Sequence, residues 1–244
     1  MSFPVRAITL DLDDTLWPFA PIGARIEHAL HDWLGLHSPA TAERFPPREM
    51  LRLREQVAAG HPELAHDLTA IRRRAIEIAL AESGSDPALL EPAFEVFYAS
   101  RNQVDFYPDS LAGLHRLAAR VPLIAVSNGN ADLGRIGIDE LFAGQVSARE
   151  HGAPKPEPSI FLAACELAGA APDEVLHVGD NVELDVAGAA RAGLRSCWLY
   201  RDDHPDGLQG WPHAHVAPDL TFDSLLALAD WLDASQPGTA ASAA

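Results

Sequence analysis

The feature that most constrains this chain is a mainly apolar segment, residues 5–10, that ends in three closely spaced carboxylates. A segment that can be buried on both faces is typical of a central strand in a parallel sheet. Asp11, Asp13 and Asp14 follow it, and two like charges about 4 Å apart repel by about 1 kcal/mol in water and about 4 kcal/mol at an effective dielectric of about 20. The turn therefore favours a cationic partner, although a solvated acidic turn that caps a helix is the commoner explanation of an isolated acid pair.

Length and charge limit the class of protein. With 244 residues, 48% of them apolar, the chain can form one large domain, or a core domain with a smaller insert. Its net charge of −17 argues against general binding to nucleic acid or to an anionic membrane, since both need a basic face. No apolar run reaches the roughly 18 residues of a membrane span.

Cysteine usage and the N-terminus bear on the compartment. Cys165 and Cys197 lack metal or redox spacing and are typical of buried thiols in a reducing cytosol. The N-terminus has no basic and then apolar leader. We therefore expect a cytoplasmic protein, a monomer or weak homodimer, that acts on small molecules and not on nucleic acid or membranes.

A long helical segment separates the first strand from the second. A parallel crossover needs only a dozen or so residues, yet about a hundred lie between residue 10 and the next apolar strand pattern, at 121–127. This spacing predicts a helical insert over residues 18–105 beside the sheet. Four segments there have apolar residues at helical spacing, namely 22–34, 48–59, 62–82 and 87–102.

After residue 127 short strands and helices alternate, which is typical of a parallel sheet covered by helices on both faces. The expected class is α/β, with a core over residues 1–17 and 106–233 and a flexible tail over 234–244. Residues 201–219 are predicted to be a surface loop, whose His213 and His215 suit a metal or, more commonly, are solvated. The strands are predicted near 145–147, 175–178 and 196–199, and the helices at 109–119, 158–168, 183–192 and 222–232.

Polar residues at the carboxyl ends of these strands form a candidate site, because ligands of such sheets bind at that edge. A carboxylate at Asp11 can attack phosphorus and split one difficult displacement into two steps. Asp180, with Asp11 and the main chain near Asp13, could offer the few oxygen ligands that Mg²⁺ prefers. Lys155, the single lysine among 18 basic residues, adds a compact positive charge.

Two further groups complete the candidate chemistry. Ser127, with the amides of Asn128 and Gly129, can hold the remaining oxygens of a phosphate group. Asp13 can protonate a leaving alcohol and then activate water. Taken singly, these residues could equally be turn formers, helix caps or surface charges. Taken jointly, those explanations must also account for why each residue falls at a strand end or before a helix.

The order of these residues resembles the four motifs of the haloacid dehalogenase superfamily. The motifs here are Asp11-Leu-Asp13-Asp14-Thr15, Ser127-Asn128-Gly129, Lys155-Pro156 and Gly179-Asp180-Asn-Val-Glu-Leu-Asp185. The resemblance implies a Rossmann-like core with an inserted helical cap. It also implies a nucleophile at Asp11, a general acid/base at Asp13, charge neutralisation and phosphate binding at Lys155, and phosphate binding at Ser127, Asn128 and Gly129. The implied magnesium ligands are Asp11, Asp13 and Asp180, with Thr15 in support. Asp185 either supports the metal or orients Lys155.

A narrower resemblance concerns the substrate. His66-Asp67-Leu68-Thr69, His177-Val-Gly-Asp180 and Cys197-Trp198 look like parts of the bacterial phosphatases that act on flavin mononucleotide and on the phosphoribitylamino-uracil intermediate of riboflavin synthesis. In that family the cap shapes the pocket for the leaving group. The corresponding candidates here are Trp17, Phe19, His66, Asp67 and Arg72, which helix packing and surface salt bridges explain nearly as well.

Other functions remain open at this point. One is a nucleotide or sugar phosphatase of the same fold. A 2-haloacid dehalogenase is disfavoured, because that branch lacks an acid at the position of Asp13 and does not keep the paired acids of the last motif. A non-catalytic binding module is least favoured, since the acids and the lysine are intact.

Overall fold

The computed structural model describes residues 3–201 and 216–235. His213, His215 and most of the predicted 201–219 loop lie outside the described residues, as do residues 236–244 of the predicted tail. The strands are β1 (Ala7–Leu10), β2 (Leu123–Ser127), β3 (Gly144–Ser147), β4 (Val175–Gly179), β5 (Arg195–Leu199) and β6 (Leu220–Phe222).

Eleven α-helices are assigned within the described residues, and four short 3₁₀ turns and one π-helical turn accompany them. The helices are α1 (Phe19–His37), α2 (Pro39–Arg44), α3 (Pro47–Gly60), α4 (Leu68–Glu82), α5 (Leu90–Arg101), α6 (Ser110–Ala118), α7 (Leu133–Ile136), α8 (Ala148–His151), α9 (Pro158–Ala168), α10 (Gly188–Arg191) and α11 (Leu225–Ser235). The 3₁₀ turns are Pro62–Leu64, Pro87–Leu89, Asp139–Leu141 and Pro172–Glu174, and the π-helical turn is Val182–Ala187.

The strands form one parallel sheet in the order β3-β2-β1-β4-β5-β6. This confirms the α/β fold with a Rossmann-like parallel sheet. Strand β1 lies between β2 and β4, with Leu10 beside Ala125 on one side and Val178 on the other. Because neighbouring parallel strands end at the same edge, the turns after β1, β2 and β4 are brought together there.

The residues divide into two units. The core unit comprises residues up to 17, residues 105–128 and those from 137 onward, and the helical unit comprises 18–104 and 129–136. In the core unit, buried side chains of β1 and β2 pack with those of α9, among them Ala7, Ile124, Val126, Ile160 and Phe161. The helical unit has its own apolar core, which includes Leu30, Leu34, Met50, Leu53, Val57, Ile71, Ile76 and Leu80.

Residues 129–136 group with the helical unit, whereas the sequence predicts them to belong to the 106–233 core. The reason is a set of polar contacts with α5 and the residue that follows it. The backbone N–H of Asp132 donates to Asn102 Oδ1 at 2.8 Å, and Arg135 Nη1 donates to Glu95 Oε1 at 2.6 Å.

Four predicted helices differ from the structure. The predicted helix 87–102 is the 3₁₀ turn Pro87–Leu89 followed by α5. The predicted helix 62–82 is a 3₁₀ turn and a separate helix α4, because the Asp67 side chain accepts a 2.9 Å bond from Ala70 N and so caps a new start. The predicted helix 222–232 begins later, at Leu225, and the short strand β6 before it was not predicted. The predicted helix 183–192 consists of the π-helical turn and α10.

Within the described residues, none of the helices combines the length and apolarity that crossing a membrane requires.

The packing of α6 on α11 yields a stability prediction. A Cβ at Gly113 would lie 2.4 Å from Leu225 Cβ, so Gly113→Ala forces the helices apart. Overpacking costs about 1–3 kcal/mol, which exceeds the roughly 1 kcal/mol that alanine gains in a helix. We expect Gly113→Ala to lower the free energy of unfolding in urea. Gly35→Ala in α1, where nothing lies within 4 Å of the new Cβ, should instead be neutral or stabilising; equal behaviour of the two variants would contradict this account.

Candidate active site

The centre of the site is the ammonium group of Lys155, which lies between two carboxylates. Lys155 Nζ is 2.6 Å from Asp11 Oδ1 and 2.7 Å from Asp185 Oδ1. The side chains of Lys155 and Asp185 are almost completely buried, and 12% of the Asp11 side chain is exposed. Asp11 itself is fixed at the end of β1, since its backbone N–H donates to Val178 O at 2.9 Å.

The backbone of Lys155 is held by the side chain of Asn128. Asn128 Oδ1 accepts from Lys155 N at 2.7 Å, and Asn128 Nδ2 donates to Lys155 O at 2.9 Å. Asn128 follows Ser127, the buried last residue of β2. The amide side chain therefore joins the carboxyl end of β2 to the loop that carries the lysine, in addition to the phosphate-binding role predicted for its main chain.

Two buried residues that the sequence analysis did not assign to the site extend it into the sheet. Thr9 Oγ1 lies 2.8 Å from His177 Nδ1, and His177 Nε2 lies 3.0 Å from Asp185 Oδ1. Thr9 and His177 are paired residues of β1 and β4. Together with Lys155 they form a buried chain of hydrogen bonds, which we call the Thr9 relay: Thr9, His177, Asp185 and Lys155.

The charges along the Thr9 relay determine where its protons lie. Burial raises the pKa of Asp185, but Lys155 and His177 outweigh it and hold that pKa below its usual range. Burial lowers the pKa of His177, against the opposing effect of Asp185. A neutral imidazole beside an ionised carboxylate must donate from Nε2, so Nδ1 is the acceptor and the Thr9 hydroxyl is the donor.

The remaining contacts of Asp185 come from its own loop. Asp185 Oδ2 accepts from Asn181 N at 3.0 Å. Its carboxylate also packs directly on Gly179, where a Cβ would lie 2.3 Å from Asp185 Cγ. Glycine is thus required at this strand end by the close approach of the carboxylate.

Asp180 is held by the turn after β1. Thr15 Oγ1 donates to Asp180 Oδ1 at 3.0 Å, and Asp180 N donates back to Thr15 Oγ1 at 3.1 Å. Trp198 Nε1 donates to Asp180 O at 2.8 Å. The buried Arg201 in turn donates to Thr15 O through Nη2 at 2.7 Å and pairs with Asp109 at 2.7 Å. These contacts connect the turn after β1 with the ends of β4 and β5.

The acids of this site suit a hard divalent cation. One carboxylate oxygen each from Asp11, Asp180 and Asp185 lie within 4.8 Å of one another, and oxygen donors are those that Mg²⁺ prefers. Burial raises the pKa of Asp11 well above its ordinary value; Lys155 opposes the rise, while Asp185 and Asp180 add to it. A cation beside Asp11 and Asp180 would favour their ionised carboxylates and so oppose the effect of burial on the pKa of Asp11. Asp185 already accepts hydrogen bonds from Lys155, His177 and Asn181.

The carboxylate of Asp13 does not belong to this group of oxygens. Its Oδ1 accepts from Trp17 Nε1 at 2.8 Å, and Trp17 is fully buried. Trp17 was predicted as a candidate for the leaving-group pocket, and its indole is instead a neighbour of Asp13 beneath the surface.

The other predicted pocket residues, and Gly129, lie in the helical unit. Asp67 caps α4, and His66 is half-buried in the turn before it. The buried Arg72 donates to both oxygens of Glu27, at 2.6 and 3.2 Å, and its guanidinium lies 4.8 Å from the Phe97 ring centroid. Phe19 begins α1, is 38% exposed and has the Arg101 guanidinium over its ring. Asp67 and Arg72 therefore have structural contacts within that unit.

Comparisons with known proteins identify the family. Residues 5–193 match the family of haloacid dehalogenase-like hydrolases. The chain is 32% identical over 231 residues to the 5-amino-6-(5-phospho-D-ribitylamino)uracil phosphatase YigB of Escherichia coli (strain K12), covering 91% of this chain and 96% of that protein. It is 29% identical to the phosphoserine phosphatase of Thermus thermophilus, covering 87% of this chain and 95% of that protein.

A solved structure gives the same fold. The crystal structure named 2-haloacid dehalogenase from Pseudomonas syringae pv. Tomato DC3000 is 34% identical, has a TM-score of 0.85, and matches over 94% of this chain and 99% of that one. The chain therefore belongs to the haloacid dehalogenase-like hydrolases, which confirms the resemblance drawn from its motifs. Within this family it is a phosphatase, a phosphoric monoester hydrolase.

The Thr9 relay yields a prediction with a matched control. Thr9→Val keeps the shape of the side chain but removes the donor to His177 Nδ1, and a buried polar atom without its partner costs about 1–3 kcal/mol. We expect lower stability in urea and a loss of about tenfold in kcat/KM on p-nitrophenyl phosphate, as Asp185 and Lys155 lose their fixed positions. Thr9→Ser keeps the hydroxyl and should retain wild-type turnover. Wild-type turnover in Thr9→Val would show that the relay does not position the lysine.

Proposed function

We propose that this phosphatase hydrolyses small-molecule phosphate monoesters through an aspartyl-phosphate on Asp11, with Mg²⁺ as its metal. The observation that carries the proposal is the ammonium of Lys155, 2.6 Å from Asp11 Oδ1 and beside further acids. Attack by a carboxylate on a phosphate brings two negative groups together. It requires cations at the point where they meet.

The first step transfers the phosphoryl group to the protein. A carboxylate oxygen of Asp11 attacks phosphorus, the bond from phosphorus to the ester oxygen breaks, and Asp13 gives its proton to the leaving oxygen. The products are the free alcohol and an aspartyl-phosphate at Asp11. Asp13 is left as a carboxylate.

The second step returns the protein to its starting state. Water attacks phosphorus, Asp13 takes a proton from that water, and the bond between phosphorus and the Asp11 oxygen breaks. Inorganic phosphate leaves, and both acids regain their initial forms. Phosphate monoesters hydrolyse so slowly alone that enzymes reach accelerations on the order of 10²¹, so several terms must act together.

The other residues of the site bind and orient. Lys155 neutralises charge on a phosphate oxygen, while Asp185 and the Asn128 side chain hold the lysine. The Ser127 hydroxyl and the backbone N–H of Asn128 bind further phosphate oxygens. Asp11, Asp180 and the main chain near Asp13 would hold Mg²⁺, which supplies charge neutralisation at the transferring group when bound.

For the substrate we propose flavin mononucleotide or 5-amino-6-(5-phospho-D-ribitylamino)uracil. The support is the similarity to the Escherichia coli phosphatase named for the second compound, over nearly the full length of both chains. Nucleotide and sugar phosphates are the alternatives, since other similar proteins are named for different esters. We further propose that the protein is a cytoplasmic monomer or weak homodimer and that it has no nucleic-acid partner. Its acidic composition supports the last point, since nucleic-acid binding needs a basic face.

A second candidate activity, dehalogenation of 2-haloacids, is raised by the name of the solved structure with a TM-score of 0.85. Attack by a carboxylate on carbon with halide as the leaving group needs neither a proton donor nor a metal. The presence of Asp13 and of Asp180 therefore favours the phosphatase reaction.

Metal dependence is the first expected outcome. EDTA should abolish hydrolysis of p-nitrophenyl phosphate and Mg²⁺ should restore it, with Ca²⁺ a poor substitute because its looser coordination misplaces the in-line geometry. Asp180→Asn should raise the Mg²⁺ concentration needed for half-maximal rate at least about tenfold. Asp173→Asn, which changes an exposed acid in the turn before β4, is the matched control and should leave that concentration unchanged. Full activity in chelator would remove the metal from the proposal.

A panel of esters tests the substrate and the nucleophile together. We expect the highest kcat/KM for flavin mononucleotide or 5-amino-6-(5-phospho-D-ribitylamino)uracil. The comparison compounds are phosphoserine, nucleoside monophosphates, sugar phosphates and, by chloride release, 2-chloropropionate. Asp11→Asn should leave no turnover and no phosphoenzyme on any ester. Asp13→Asn should slow turnover about 10²- to 10⁴-fold. A higher kcat/KM for another ester class would replace the proposed substrate, and chloride release faster than phosphate release would replace the reaction.

A further inference from the structure

Trp17 and Asp13 form a contact that the reaction described above does not use. The indole Nε1–H donates to Asp13 Oδ1 at 2.8 Å. Trp17 is fully buried, whereas Asp13 is half-buried. The indole therefore bonds the acid from the protein side, and it has no exposed surface with which to contact a substrate.

The position of the indole is fixed by its surroundings in the core unit. Its ring packs edge-on against Phe106, with centroids 5.4 Å apart and an interplanar angle of 83°. The backbone on either side is bonded as well: Asp14 N donates to Trp17 O at 2.8 Å, and Tyr107 N donates to Leu16 O at 3.0 Å. Asp13 and Trp17 also form a parallel β-bridge. The donor is thus held in place before any substrate binds.

We propose that Trp17 is a positioning residue for Asp13, which it orients for proton transfer to the leaving group. The proposal rests on the acid/base role of Asp13 in the proposed function. An oxygen that accepts an N–H bond is the carbonyl oxygen of a protonated carboxyl group, so the indole places the transferable proton on Oδ2. Because the indole carries no charge, the same bond forms with the carboxylate after the proton has left.

This role predicts an effect that depends on the leaving group. An ester of an aliphatic alcohol leaves as a strongly basic alkoxide and needs its proton in the transition state, whereas p-nitrophenolate leaves without one. Misplacing Asp13 should therefore slow the first step, in which the alcohol leaves, more for alkyl esters than for p-nitrophenyl phosphate. A general loss of folding would slow both esters equally.

The experiment compares Trp17→Phe with wild-type enzyme on the fastest alkyl ester of the panel and on p-nitrophenyl phosphate, in saturating Mg²⁺. Phenylalanine keeps an aromatic ring against Phe106 and removes the N–H. We compare kcat/KM, which reports the steps up to release of the alcohol and not the later attack by water in which Asp13 also acts. We expect kcat/KM on the alkyl ester to fall about tenfold, a part of the roughly 10²- to 10⁴-fold that general acid catalysis contributes, and kcat/KM on p-nitrophenyl phosphate to change less than about twofold. Phe106→Leu loosens the packing of the indole but leaves its N–H in place, so we expect the same selectivity against the alkyl ester with a smaller loss than in Trp17→Phe.

Two further variants separate the possible failures. In an Asp13→Asn background, Trp17→Phe should cause no additional leaving-group dependence, because the group it acts through is gone. If Asp13→Asn is selective against alkyl esters and Trp17→Phe is not, the positioning role is wrong and the proposed function stands. If Asp13→Asn lowers kcat/KM equally on both esters, the acid role is wrong and the Trp17 proposal falls with it.

Replacement of Trp17 by 3-benzothienylalanine provides the same comparison should Trp17→Phe fail to fold. This residue keeps the bicyclic ring and lacks only the N–H. The selective loss on the alkyl ester is the expected result, and equal rates with wild type on both esters would overturn the proposal.

Discussion

The site depends on one buried ammonium group that two carboxylates share. Lys155 lies 2.6 Å from Asp11 and 2.7 Å from Asp185, and removing one partner from such a buried pair costs about 3–5 kcal/mol because the other charge is left uncompensated. The structure around it serves to keep this geometry: Asn128 fixes the lysine backbone, and the close approach at Gly179 lets the Asp185 carboxylate fit. With Asp180 beside them, the acids exceed the single ammonium in charge, which is the physical reason to expect a divalent cation.

The parallel direction of the strands explains why several residues of the site could be grouped from the sequence. Alternating strands and helices imply a parallel sheet, and the carboxyl ends of all strands in such a sheet lie at one edge. Residues at strand ends, such as Asp11, Ser127 and Asp180, can therefore be grouped without knowing the strand order. The long gap after residue 17 likewise required an insert, since a crossover never needs a hundred residues.

What the sequence could not provide was the contacts that depend on register and on side-chain direction. Thr9 and His177 lie inside apolar strands, and only the pairing of β1 with β4 places them side by side. A histidine within a buried strand is a signal of a polar partner, but it does not name that partner. For the same reason Trp17 suited a substrate pocket by position, while its indole points to Asp13. Strand β6, three residues long, gives too short a pattern for its period to be recognised.

Asp13 and Asp185 accept hydrogen bonds from donors of different charge, and this difference suits their different roles. The Lys155 ammonium, together with His177, holds the pKa of Asp185 below its usual range, which favours the ionised carboxylate that orients the lysine. The Trp17 indole N–H is neutral, and it can bond either form of the carboxyl group. A group that must give up a proton and later take one from water needs a neutral donor, such as the indole. A group that must keep its negative charge needs a charged donor, such as the ammonium.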